Sequence, residues 1–227
     1  MLRTDLKIKK NQNHLFIPIT QSSKKLKDFV IISDRFEKTV RTPSTYQELL
    51  DLNSDLQRIL PTSFDVIGDI ILIKLPEELQ KYSSEIGDAL LQTHSHVNTV
   101  CMMNPVSGNF RTRSVTVIAG EQKTDTIHKE YNLCFFVDVE KTYFSPRLAT
   151  ERKRVTSLIE EKSIVYDMFC GVAPFSIMIA KYAHPRKIIA VDKNPFAIKL
   201  AKKNIKENKL SSKVNVICED AENPELI

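Results

Sequence analysis

From residue 163 the chain alternates with a fixed grammar: IVYDMF, PFSIMIAKYA, KIIAVD, PFAIKLAKKNIKEN, VNVICED. Short β-rich runs separated by helical ones mean parallel βαβ units joined by right-handed crossovers. Pro174 and Pro195 stand where a first-turn proline belongs, and Asn194 is a good N-cap before the second helix. Each of the three strands ends in an acid: Asp167, Asp192 and Asp220. In an open parallel sheet a ligand sits in the crevice beyond the strand carboxyl ends. If successive strands are neighbours, all three carboxylates line that crevice. A single Asp at a strand end is a common turn residue; three on successive strands are harder to explain as turns.

The turn after the first strand, FCGVAPFS, excludes the usual occupants of a strand–turn–helix junction. A phosphate-binding loop needs G-x-x-x-x-G-K-[ST], and here there is one glycine, Gly171, and no lysine. A dinucleotide fold needs G-x-G-x-x-G so that the backbone can approach a pyrophosphate. Here Ala173 holds the second glycine position, and Asp167 would repel phosphate. A ligand with an adenosine, a cationic amino group and no phosphate suits the site. Asp192 can accept from both ribose hydroxyls, Asp220 from the adenine amino group, and Asp167 can stabilise an ammonium. S-adenosylmethionine has that chemistry.

Four stretches, TDTIHKE, VDVEKTYFSPRLATER, VYDMFCGVAPFS and AVDKNPFAIKLAKKNIKENKL, together resemble the archaeal and eukaryotic tRNA (guanine-N1)-methyltransferases, which modify guanosine 37 beside the anticodon. The resemblance covers roughly residues 64–227, and YFSPRLATER is its most specific part. It implies an α/β fold: a Rossmann-like class I methyltransferase domain with only its first three strands present. An α+β domain and a small N-terminal β-containing domain precede it. The implied boundaries are 1–40, a partial RNA-binding domain; 41–147, a connecting, tRNA-binding domain; and 148–227, the N-terminal half of the methyltransferase domain. The family's N-P-P motif would follow a fourth strand, beyond Ile227. The sheet is therefore expected to need a further half or a partner chain.

The resemblance also implies roles. Guanine N1 must lose a proton before it attacks the methyl group, and charge then spreads to O6, so a base near N1 and a cation near O6 are needed. Glu151 is the implied base and Arg111 the implied O6 partner. The implied cofactor pocket comprises Tyr143, Arg152, Asp167, Phe169, Gly171, Phe175, Asp192, Lys193, Asp220 and Ala221. The alternative within the family is the wybutosine-pathway transfer of an aminocarboxypropyl group; outside it, a non-catalytic RNA-binding fragment. His128 in TIHKE reads as a hydrogen-bonded structural histidine.

Ahead of residue 148, HLFIPIT and DFVIIS read as two strands, and RTPSTYQELLDLNSDLQRIL as a proline-started helix. FDVIGDIILIKL reads as one strong strand, PEELQKYSSEIGDALLQTH as a helix, and VNTVCMM, RSVTVIAG and LCFFVDVEKTYF as strands. The net charge of +5 leans toward a polyanionic partner. KIKK at 7–10, KKLK at 24–27 and ERKR at 151–154 are local basic clusters. The 195–210 helix carries Lys199, Lys202, Lys203, Lys206 and Lys209 on one face and Leu200, Ala201 and Ile205 on the other. Cys101, Cys134, Cys170 and Cys218 include no C-x-x-C pair, so free thiols are expected and no metal. His94 and His96 read as a polar loop. No apolar run nears the roughly 20 residues of a membrane span, and the N-terminus lacks a signal-peptide core, so a cytosolic protein is expected.

Overall fold

The computed structural model describes residues 3, 5–20, 29–38, 43–106 and 113–222. The chain divides into two compact units, Met1–Ser44 and Thr45–Ile227. In the first, β1 (Lys9–Lys10) pairs antiparallel with β2 (Leu15–Phe16), so the HLFIPIT strand is short. The expected strand DFVIIS does not form over its described residues 29–33. Phe29, Val30, Ile31 and Ile32 stand exposed, and a β-rich run with no ladder partner leaves its main-chain groups to water.

The second unit opens with a 3-10 turn (Tyr46–Leu49) and α1 (Ser54–Arg58) in place of one long helix. Asn53 is the cause: its side chain accepts from the Leu56 N–H at 3.0 Å and starts a new helix after extended backbone at Leu50. FDVIGDIILIKL likewise splits, into β3 (Asp65–Ile67) and β4 (Ile70–Ile73), an antiparallel hairpin. Gly68 turns the chain at φ +57, and a Cβ there would lie 2.1 Å from Thr126 Oγ1. Only glycine meets both demands. A 3-10 segment (Glu77–Tyr82) leads into α2 (Ser83–Thr93), the crossover that lets β4 pair parallel with β5 (Thr99–Val106). β6 (Arg113–Gly120) completes a sheet of order β3-β4-β5-β6.

All four residues of β4 are buried, and they divide by parity. Ile71 and Ile73 join a core with Leu79, Ile86 and Leu90, while Ile70 and Leu72 join a second core that continues through Phe135, Ile177 and Ile188 to Val214. The hairpin β7 (Asp125–Glu130) and β8 (Leu133–Asp138) lies in that second core. A 3-10 turn (Pro146–Leu148) and α3 (Ala149–Ser157) follow. Then come β9 (Ile164–Asp167), α4 (Pro174–Tyr182), β10 (Lys187–Asp192), α5 (Pro195–Glu207) and β11 (Val214–Cys218). The three strands are parallel in the order β11-β10-β9, as the alternation requires.

Candidate functional site

At the carboxyl ends of β9 to β11 lies a cavity of about 780 Å³. Its walls include Tyr143, Arg152, Phe169, Gly171, Phe175, Asp192, Lys193, Asp220 and Ala221, which is every cofactor residue expected from sequence except Asp167. Asp167 sits behind the wall, half-buried, where its carboxylate accepts from Ser176 Oγ at 2.6 Å. Burial pushes this carboxyl above the usual range, the Ser176 hydroxyl works against that, and neighbouring Asp192 adds to the rise. The Cys170 thiol beside it is also pushed up by burial, so it stays protonated and unreactive.

The turn after β9 is built on left-handed backbone. Gly171 has φ +54 and Ala173, the residue before α4, has φ +65. Cys170 N–H donates to the Val191 carbonyl at 2.9 Å, and Ala173 N–H to the Cys170 carbonyl at 2.7 Å. Asp192 is the second anchor: one oxygen accepts from Gly171 N–H at 2.8 Å, the other from Asn194 N–H at 2.9 Å. A carboxylate offers about four acceptor directions, so each oxygen keeps one for a ligand hydroxyl. Asn194 caps α5 by accepting from Phe196 N–H at 3.0 Å, and its amide donates to the Lys141 carbonyl at 2.8 Å.

Arg152 is 1% exposed, and its environment is a network that the sequence reading did not include. Its Nε and Nη2 each donate to Glu130 at 2.6 Å, and Nη1 donates to the Ser145 carbonyl at 3.2 Å. The guanidinium lies 5.1 Å from the Phe144 ring centre and 6.0 Å from that of Phe175. Burial works to raise the Glu130 carboxyl, but hydrogen bonds from His128 and Arg152 outweigh it and hold it low. His128 accepts the Gly68 N–H on Nδ1 at 3.3 Å, which leaves the Nε2 proton facing Glu130 at 3.6 Å. The histidine is thus held within this network.

Glu151 is placed differently from the pocket residues. It lies one residue before Arg152 on α3, faces solvent, and is clasped by Arg154 through two bonds of 2.8 and 2.6 Å. The bonds from Arg154 hold its carboxyl below the usual range. Arg111 lies outside the described residues, as does KKLK at 24–27. The cysteines are free thiols, and among the described residues no group of His, Cys, Asp and Glu is placed to hold a metal. No helix among the described residues is long and apolar enough to cross a membrane.

Arg152 is neutralised by Glu130, and Lys193 stands 3.7 Å from Asp220. The charge left unmatched on the cavity wall is that of Asp192, beside the rings of Phe169 and Phe175, which suits a cationic ligand and opposes a pyrophosphate.

The family described as the TRM5/TYW2 methyltransferase domain matches residues 126–226, and the TYW2 N-terminal domain matches residues 46–124. The chain is 44% identical over 217 residues to the tRNA (guanine(37)-N(1))-methyltransferase Trm5b of Pyrococcus abyssi, covering 95% of this chain and 64% of that protein. Among solved structures, the complex of aTrm5 and tRNALeu aligns with a TM-score of 0.79 at 35% identity, over 96% of this chain and 68% of that one. Methanocaldococcus jannaschii Trm5 in complex with adenosine aligns with a TM-score of 0.67 at 32% identity, over 98% and 67%. The chain thus spans about two thirds of the length of these relatives.

Proposed function

From the premise that this chain belongs to the TRM5/TYW2 methyltransferase family, we propose that it takes part in methyl transfer from S-adenosylmethionine to N1 of guanosine 37 in tRNA. The observation that carries the reading is the cavity at the strand ends. Nine of the ten residues expected to hold the cofactor line it, and Asp192 ties its floor to the Gly171 turn. The adenosine complex of a relative supports the same ligand class.

Bound there, S-adenosylmethionine supplies an electrophilic methyl group on a positively charged sulfur. Asp192 accepts from the ribose hydroxyls, and Asp220 with Ala221 edges the adenine. Phe169 and Phe175 give apolar walls, Tyr143 shapes the opening, and Asp167, set behind the wall and bonded to Ser176, acts on the ammonium through its charge and not by direct contact. Arg152, with its charge matched by Glu130, fixes the wall between α3 and the hairpin. Glu151 takes the N1 proton, the N1 lone pair forms the new bond to carbon, and the sulfur keeps the pair from the broken S–CH₃ bond. Arg111 balances the charge that reaches O6. For Glu151 to act, its carboxylate must turn from Arg154 toward the cavity mouth. Residues 1–40 and 41–147 are assigned to holding the RNA, and 148–227 to the cofactor.

The test is transfer of labelled methyl from S-adenosylmethionine to tRNA with guanosine 37, beside an adenosine-37 control, with mass analysis of the product nucleoside. Labelling of the guanosine substrate alone, as 1-methylguanosine, supports the proposal. An aminocarboxypropyl adduct, or equal labelling of both substrates, overturns it.

A further inference from the structure

Asn204 on the apolar side of α5 and Asn208, which caps its C-terminus, form a structure that the proposed reaction leaves unexplained. Among the described residues no strand pairs with the outward main-chain groups of Cys134 and Phe136 on β8. Asn208 accepts from Cys134 N–H at 3.1 Å and donates to the Cys134 carbonyl at 2.7 Å. Asn204 accepts from Phe136 N–H at 2.6 Å and donates to the Phe136 carbonyl at 3.2 Å. Positions four apart on a helix rise about 6 Å, close to the spacing of alternate residues on a strand, so the two amides stand in for a third strand. This protects an edge that would otherwise invite pairing.

Asn204 does one thing that Asn208 does not. It is fully buried, and its Nδ2 also donates at 3.0 Å to the carbonyl of Val172, in the middle of the turn that floors the cavity. Gly171 and Ala173, on either side, both have left-handed backbone. A turn with two such residues needs an external hold, because neither local propensity nor a helix ladder fixes it. Val172 itself is fully buried, so its carbonyl has no water to fall back on.

We propose that Asn204 is a positioning residue for the cofactor: a strut that ties the Gly171–Ala173 turn to the edge of β8 and sets the cavity floor. This rests on the reading of the cavity as the S-adenosylmethionine site. Asn208 is the matched control, because it belongs to the same ladder without reaching the turn.

The experiment compares the full chain with Asn204→Ala and Asn208→Ala in two ways. Calorimetry measures S-adenosylmethionine affinity, and hydrogen exchange follows the Ala173 amide. Asn204→Ala loses three hydrogen bonds, of which the one to the Val172 carbonyl reaches the turn, and is expected to weaken affinity about 10-fold and to speed Ala173 exchange. Asn208→Ala is expected to lower the melting temperature while leaving both readouts near wild type. If Asn204→Ala does not fold, Asn204→Leu replaces it: the side chain has similar volume, fills the buried site without a charge and cannot donate to Val172. Equal effects from the two positions, or no effect at Asn204, overturn the proposal. A wild-type chain that binds no S-adenosylmethionine removes the cofactor reading instead. The exchange comparison then decides the strut alone, with faster exchange in the Asn204 variant supporting it and unchanged exchange refuting it.

Discussion

Arg154 donates two hydrogen bonds to Glu151, which keeps the carboxylate ionised and weakens it as a base. If Glu151 takes the N1 proton, Glu151→Gln lowers the methylation rate by roughly 10²- to 10⁴-fold and leaves cofactor affinity unchanged. A rate near wild type in single-turnover assays would remove it from that role. Asp167 presents the opposite electrostatics. Its folded pKa is raised above its ordinary value of 3.8, so the folded chain holds the proton more tightly than the unfolded one. Stability therefore falls as pH rises through the window above 3.8, and stays lowered at neutral pH. Asp167→Asn, which can still accept from Ser176, is expected to raise the melting temperature of the ligand-free chain at pH 7 and to weaken S-adenosylmethionine binding. A lower melting temperature would contradict the sign. Ala173 carries a backbone cost of its own, at φ +65 just before α4. The position is left-handed, which costs an L-residue about 1–2 kcal/mol. Ala173→Gly should recover part of that in a denaturant melt, and a loss of stability would mean that the buried methyl outweighs the strain.

β7 shows why part of the architecture was hidden in the sequence. Its inward residues are Thr126, His128 and Glu130, so the alternation that marks a strand is polar on the core side. Periodicity sees apolar stripes and passes over a strand that buries an ion pair. The same blindness applies to Asn204, a polar residue on the face that pattern reading assigns to the core. Gly68 and Asn53 each sit inside a run with a continuous pattern and interrupt it through contacts distant in sequence or through local capping. By contrast β9, α4, β10, α5 and β11 were legible almost to the residue, because period, proline and N-cap signals agree there. Asp192, Asp220 and Gly171, singled out from those strand-end signals, do line the cavity. The Glu130–Arg152 pair makes its own prediction: Glu130→Ala leaves a buried guanidinium unmatched and should cost about 3–5 kcal/mol of stability, read from chemical denaturation. A cost near zero would mean that Arg152 swings out to water.

At the scale of the molecule, charge and cavity face different tasks. Lys199, Lys202, Lys203 and Lys206 on α5, and Lys209 just beyond its end, are all exposed, and none makes an ion pair among the described residues. Lys203 instead stands 3.4 Å over the Phe136 ring. If this face meets the RNA backbone, Lys202→Gln with Lys206→Gln flattens the slope of log affinity against log salt by about 1 per lysine that meets a phosphate. An unchanged slope would leave the lysines as a solvated helix face. The cavity, however, is the centre of the account, and calorimetric titration of the 227-residue chain with S-adenosylmethionine tests it most directly. One binding site, lost or strongly weakened in Asp192→Ala while the melting curve stays cooperative, is the predicted result. No binding by the folded wild-type chain, or full affinity in Asp192→Ala, would contradict it.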